Sequence, residues 1–211
     1  MSTKTNINKT FNNPILPGFY PDPSICRVGE DYYMITSSFA FFPGIPIFKS
    51  TDLVNWEQIG HVLNRKSQLN LDGAGYSGGI FAPTIRYNEG VFYVITTNTS
   101  NGGNFIVTAK DPKGPWSDPY WLEGADGIDP SLFFDDDGKV YYTGTKTPEN
   151  PKYMGDHEIW LQEIDLNCMK LKGKSYTLWK GALKNAAFVE GPHLYKISGM
   201  YYLLISEGGT E

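Results

Sequence analysis

One short phrase is written four times along the chain, and it limits the fold more than any other feature. It begins at Asp22-Pro-Ser-Ile, runs through Gly29 to the aromatic pair Tyr32-Tyr33, and returns at Ala82-Pro-Thr-Ile, Asp129-Pro-Ser-Leu and Gly191-Pro-His-Leu. Each copy reads as a hairpin, with a turn-forming head, a Gly-bearing turn and a β-rich run. Pro23, Pro83, Pro130 and Pro192 stand 60, 47 and 62 residues apart, within or near the repeat length of propeller-type arrays. Such units are arranged around a central channel, so equivalent backbone positions meet there. The residue before each proline is aspartate, alanine, aspartate and, in the fourth copy, glycine preceded by Glu190. Asp22, Asp129 and Glu190 are therefore expected to converge, and three carboxylates at one focus suggest acid and base chemistry.

The intervening sequence completes the units. In the first, Ser24 to Ser38 is one hairpin, and Ile45 to Ser50 with Trp56 to Gly60 makes a second around Thr51-Asp-Leu-Val-Asn, which resembles an Asp-box turn. Two hairpins make a four-stranded antiparallel blade. The second unit offers Thr84 to Thr97, a strand from Phe105 to Lys110, and Asp111 to Ser117 as turn and edge; the third turns on Asp136-Asp137-Gly138 and pairs Glu158 to Asp165 with Leu171 to Lys180. The Asp-Gly is read as a hairpin turn rather than a calcium site. No sustained 3.6-residue periodicity appears, so an all-β chain with very little helix is expected. The predicted organisation is a polar leader over 1–12 and a partial propeller over 13–211, with blades at about 13–65, 76–122 and 126–182 and the first hairpin of a fourth at 186–207. Propellers use about four to eight blades, so three and a half read as the front of a longer protein. An open end leaves a strand edge and an apolar face unpaired, so the chain is expected either to self-associate into a homo-oligomer or to need the missing C-terminal part.

Composition narrows the partners. The formal net charge of -5 and the absence of a basic cluster argue against nucleic acid, which is bound by grouped Lys and Arg. No apolar run approaches a membrane span and the first ten residues lack a secretory pattern, so no membrane partner and a cytoplasmic location are expected. Cys26 and Cys168 are expected as buried free thiols. His61, His157 and His193 show no metal spacing and no cofactor motif is present, so neither metal nor cofactor is expected; His193 is expected to hydrogen-bond beside Glu190. Aromatics make up 15% of the chain. Most should pack between blades, but Phe19, Tyr20, Phe39, Phe41, Phe42 and Phe81 lie near the repeat heads. Among these, Phe39 and Phe81 are the foremost candidates for stacking on a sugar, because both sit beside Gly-, Ser- or Pro-bearing loops. A general acid and a general base flanking a glycosidic bond, separated by roughly 6.5–9.5 Å to admit a water, hydrolyse it with inversion. A third carboxylate would orient a partner and keep the acid protonated.

Longer motifs carry a resemblance. Asn13-Pro-Ile-Leu-Pro-Gly-Phe-Tyr-Pro-Asp-Pro-Ser, Phe42-Pro-Gly-Ile-Pro-Ile-Phe, Asp52-Leu-Val-Asn-Trp, Ser77-Gly-Gly-Ile-Phe-Ala-Pro-Thr-Ile-Arg, Gly127-Ile-Asp-Pro-Ser and Glu190-Gly-Pro-His-Leu-Tyr resemble glycoside hydrolase family 43, with the nearest likeness to its β-xylosidases. The resemblance implies a five-bladed β-propeller and an inverting mechanism, with Asp22 as general base, Glu190 as general acid and Asp129 tuning pKa and orientation. From the residues themselves, Phe39, Phe81 and His193 are expected to be the substrate-binding residues. The implied reaction releases terminal non-reducing β-1,4-linked xylose from xylo-oligosaccharides. An α-L-arabinofuranosidase acting on arabinofuranosyl substrates is the alternative within enzymes; an inactive or carbohydrate-binding propeller fragment is the alternative outside them. A sialidase would need a cluster of arginines, for which Arg27, Arg65 and Arg86 are the supply. The family's β-xylosidases typically carry tryptophan where this chain has Phe81. Their remaining blades and C-terminal β-sandwich, with a pocket arginine and a histidine near the channel, have no counterpart in the 211 residues.

Overall fold

A computed structural model describes residues 10–209; residues 1–9 of the expected leader lie outside that range. The described residues form three four-stranded antiparallel sheets and one two-stranded sheet, without a helix. The first sheet holds β1 (Ser24–Val28), β2 (Asp31–Ile35), β3 (Gly44–Ser50) and β4 (Glu57–Leu63). The second holds β5 (Thr84–Asn88), β6 (Val91–Asn98), β7 (Gly103–Ala109) and β8 (Tyr120–Trp121). The third holds β9 (Ile128–Phe134), β10 (Val140–Lys146), β11 (Glu158–Asp165) and β12 (Lys170–Trp179), and the last pairs β13 (Glu190–Ile197) with β14 (Met200–Ser206). Strands within each sheet follow chain order. The first strands are neighbours, β1 beside β5, β5 beside β9 and β9 beside β13. This is an all-β propeller architecture of about three and a half blades, with the four repeat heads at its inner end.

Period-two alternation explains how the middle blade holds its neighbours. On β6 and β7, Phe92, Val94, Phe105 and Val107 pack with Ile35, Ile45 and Ile47 of the first blade. The alternate residues Ile95 and Ile106 pack with Leu132, Tyr142 and Trp160 of the third. Successive side chains point to opposite faces, so a blade between two others is buried on both. Each fully buried Val, Ile, Leu or Phe is worth about 1.5–3 kcal/mol, and these clusters are the main bond between blades.

The turns follow local chemistry. Asp52 accepts the backbone N–H groups of Val54 (2.9 Å) and Asn55 (2.8 Å), closing the connection before β4. Asp136-Asp137-Gly138 turns β9 into β10 with Gly138 at φ 82°. The acidic run there meets cations of the protein: Lys196 lies 2.8 Å from Asp135 and 2.9 Å from Asp136.

Two expectations need correction. Asp111 to Gly114 makes the expected turn and the Ser117 N–H donates to Thr108 O of β7 at 2.8 Å, but the outer strand itself lies further on, at Tyr120–Trp121. Trp116 is instead buried in the core, and Gln68 and Arg65 bind the backbone carbonyls of Ser117 (2.8 Å) and Trp116 (3.0 Å). Both cysteines are free, but Cys168 is exposed, because the turn from β11 to β12 carries it to the surface. Cys26 is partly buried, and burial pushes its thiol up to about 12.

Candidate active site

The residue before a proline is normally driven to extended geometry, yet three of the four repeat heads are left-handed there: Asp22 (φ 55°), Asp129 (φ 53°) and Gly191 (φ 62°). Non-glycine residues in this region are uncommon, and such strain, about 1–3 kcal/mol each, gathers at functional sites. In the fourth copy glycine takes the left-handed position, which Gly adopts at no steric cost, and the carboxylate sits one residue earlier at Glu190. Ala82, the other head, is not left-handed.

Asp22, Asp129 and Glu190 line one cavity of about 440 Å³. They reach it from three separate blades. The Ser37 hydroxyl donates to Asp22 Oδ2, and the Ser37 N–H donates to Pro21 O at 3.0 Å, so the Asp22 head is held from two sides. Asp129 Oδ2 accepts the Gly191 N–H at 3.1 Å, which joins the third and fourth heads directly.

Electrostatics separate the three groups. Burial is the main force on Asp129, with the charges of Glu190 and Asp22 adding to it against the Gly191 N–H, and its carboxyl is pushed up to about 7. Glu190 is also raised, first by burial and then by Asp22. Two carboxyls with raised affinity for protons beside a third are suited to holding one proton ready for delivery.

Aromatic side chains wall the same cavity. Phe39 and Phe81 stand edge to face with ring centroids 5.6 Å apart, and Phe19 lies 6.0 Å from Phe39. Their backbones are fixed by a small bridge between blades: Phe39 N–H donates to Ile80 O (2.9 Å), Ile80 N–H to Phe39 O (3.1 Å), and Phe81 N–H to Thr97 O (3.0 Å). Gly79 permits this approach, since a Cβ there would lie 2.4 Å from Phe39 O. Tyr76 and Ser77 complete the rim, and Tyr76 is 93% exposed. Phe41 and Phe42 are exposed away from the cavity, and Tyr20 packs on Phe48.

His193 departs from expectation. It does not line the cavity; its Nδ1 lies 3.0 Å from the Arg86 guanidinium rather than beside Glu190. Strand β13 places it behind the head, and burial, reinforced by the Arg86 charge, lowers it to about 4. Sequence reading missed Ser37, Tyr76 and Arg86 as parts of this neighbourhood. Only Ser77-Gly78-Gly79, adjacent to Tyr76, gave a local signal. None of the three arginines lines the cavity, and Arg65 is engaged at the surface by Asp118 at 2.7 Å, which removes the basis for a sialidase.

Carboxylates from separate blades of a propeller thus meet at one aromatic-walled cavity, which pairs stacking surfaces with acid and base groups. The family model described as Glycosyl hydrolases family 43 matches residues 11–211, and the chain belongs to that family. It is 64% identical over 203 residues to a "Xylosidase/arabinosidase" of Butyrivibrio fibrisolvens, covering 95% of this chain and 39% of the relative. It is 44% identical over 214 residues to a "Non-reducing end alpha-L-arabinofuranosidase" of Bacteroides ovatus, covering 100% and 38%. The crystal structure of a xylan beta-1,4-xylosidase from Bacillus halodurans superposes with a TM-score of 0.88 at 45% identity, covering 96% of this chain and 40% of that one. The chain thus spans about two fifths of the length of these relatives.

Proposed function

We propose that this chain carries the catalytic carboxylates of an exo-acting glycosidase that releases terminal non-reducing β-1,4-linked xylose from xylo-oligosaccharides with inversion. One observation carries the reading: carboxylates from three blades line a single cavity together with Phe19, Phe39 and Phe81. The ring faces bind the sugar's apolar face by stacking, while the carboxylates meet its reacting carbon. Asp22 takes a proton from water as the water oxygen bonds to the anomeric carbon. The bond from that carbon to the leaving oxygen breaks, and Glu190 gives its proton to the departing oxygen. Burial and then the charge of Asp22 let Glu190 keep its proton to higher pH, while Asp129 orients the fourth head by accepting the Gly191 N–H. The Ser37 hydroxyl occupies Oδ2 of Asp22 and leaves Oδ1 free to face the water.

Release of α-L-arabinofuranosyl groups is the second reading, favoured by the name of the Bacteroides ovatus relative. Initial rates on nitrophenyl β-xyloside and nitrophenyl α-L-arabinofuranoside separate the two. They are measured on the chain alone and on the chain substituted for the matching segment of the Butyrivibrio fibrisolvens relative. Preference for the xyloside is expected; preference for the arabinofuranoside would replace it. Sugar binding without hydrolysis in both forms, unaltered by Asp22→Asn, would make the chain a binding propeller.

A further inference from the structure

Arg86 lies on β5, the inner strand of the second blade, and its guanidinium reaches two other blades. Its Nε donates to Leu132 O on β9 at 3.1 Å, its Nη2 bonds His193 Nδ1 on β13 at 3.0 Å, and its Nη1 donates to Ile85 O on its own strand at 2.9 Å. Leu132 stands three residues after Asp129, and His193 three residues after Glu190. The partners of Arg86 are thus at matching depth on the strands that carry two of the carboxylates. Arginine has no acceptor, so His193 Nδ1 accepts and the ring's proton sits on Nε2. A neutral imidazole is required, and burial with the Arg86 charge supplies it by lowering His193 to about 4.

No carboxylate is among these partners, so the group acts as a fork of directed donors rather than as half of an ion pair. Other contacts already join the remaining inner strands. Ser24 Oγ accepts the Ile85 N–H at 3.1 Å between blades one and two, and Ser131 Oγ donates to Pro192 O at 2.6 Å between three and four. The Arg86 side chain supplies the hydrogen-bonded link from β5 to both β9 and β13.

We propose that Arg86 is a positioning residue which, through Leu132 O and His193, fixes the second blade, with Phe81 at its head, against Asp129 and Glu190. The kinetic consequence rests on the glycosidase reading; the geometric one does not. Stacking on an aromatic face tolerates a small slide, whereas proton delivery does not. Loss of the link therefore lowers kcat by about 100-fold while KM stays within about threefold.

The geometric consequence is read by carbon-detected NMR titration of the Asp129 carboxyl in the chain itself. Asp129 is coupled to Glu190, Asp22 and the Tyr142 hydroxyl, and burial first of all pushes its carboxyl up to about 7. A loosened second blade admits water, and the titration falls toward the ordinary carboxylate range. Arg86→Lys, which keeps the charge but not the fork, and His193→Leu, which removes one acceptor, should both show this fall. His193→Asn, whose amide Oδ1 stands where Nδ1 accepts the bond, should keep the wild-type titration. The kcat of each is compared in whichever form turns over. If Arg86→Lys does not fold, the two His193 variants decide. Wild-type titration and kcat in Arg86→Lys, or identical behaviour of His193→Leu and His193→Asn, would overturn the proposal. A lowered Asp129 titration in a protein that hydrolyses neither glycoside would leave the positioning role standing and sink the glycosidase reading.

Discussion

At the scale of single residues, the site depends on which carboxyl holds a proton. Asp22→Asn should lower kcat on every substrate by about 100- to 10,000-fold, since each needs an activated water. Glu190→Gln should do the same for xylobiose, whose leaving group needs a proton, but reduce an activated aryl xyloside by less than about tenfold. Equal losses on both substrates would remove Glu190 as the acid. Ser37→Ala frees Asp22 Oδ2, and a fall in kcat of about tenfold with KM unchanged is expected for a base that is present but less well oriented. Asp129 links the site to stability. Its carboxyl is raised to about 7, so the folded chain retains a proton that the unfolded chain loses in the ordinary carboxylate range. Its favourable contribution is complete below that range and is lost as pH rises through about 7. Thermal melting should therefore occur at lower temperature near pH 8 than near pH 5, and Asp129→Asn should remove most of that difference. The convergence of Asp22, Asp129 and Glu190 was legible because the repeat places them in register. The left-handed geometry was signalled only by Gly191, standing where two other copies have aspartate. Arg86 was not legible as a link, because its partners are a carbonyl 46 residues away and an imidazole 107 residues away.

At the scale of elements, most strands declare themselves through period-two alternation between Gly- and Asp-bearing turns. The exception is instructive. Strand β8 is only Tyr120–Trp121, too short for a pattern, and Trp116 is buried by partners on another blade that its neighbours in sequence do not reveal. The segments between blades are similarly constrained by backbone contacts. Gly127, at φ 90°, precedes β9; a Cβ there would lie 1.7 Å from Thr145 O. Because the obstacle is backbone, Gly127→Ala should destabilise by on the order of 3 kcal/mol, combining left-handed strain with overpacking. Gly138→Ala is the control: its turn is also left-handed at φ 82°, but a Cβ would meet nothing within 4 Å. Chemical denaturation of both variants checks this, and equal losses would show that backbone conformation alone, not the approach to Thr145, sets the cost.

At the scale of the whole molecule, apolar burial is uneven. The middle blade is packed on both faces, whereas Ile197, Met200, Tyr201, Tyr202 and Leu204 on the β13–β14 hairpin are exposed, and among the described residues β14 pairs only with β13. An exposed apolar row beside an unpaired strand edge favours pairing with a second copy. Sedimentation of this chain should therefore depend on concentration, and Tyr202→Lys with Leu204→Lys should make it independent of concentration. A single monomeric species at all concentrations for the unaltered chain would contradict this. The fold brings carboxylates from three blades to one cavity, and inversion is the outcome that the proposed roles of Asp22 as base and Glu190 as acid require. Proton NMR of a β-xyloside during its first turnovers, in the chain or in the chain carried within the Butyrivibrio fibrisolvens relative, decides it. α-Xylose should appear first and mutarotate toward the β-anomer. Initial release of β-xylose would show retention, which requires carboxyls about 5–5.5 Å apart and a covalent intermediate, and would contradict the roles assigned to Asp22 and Glu190.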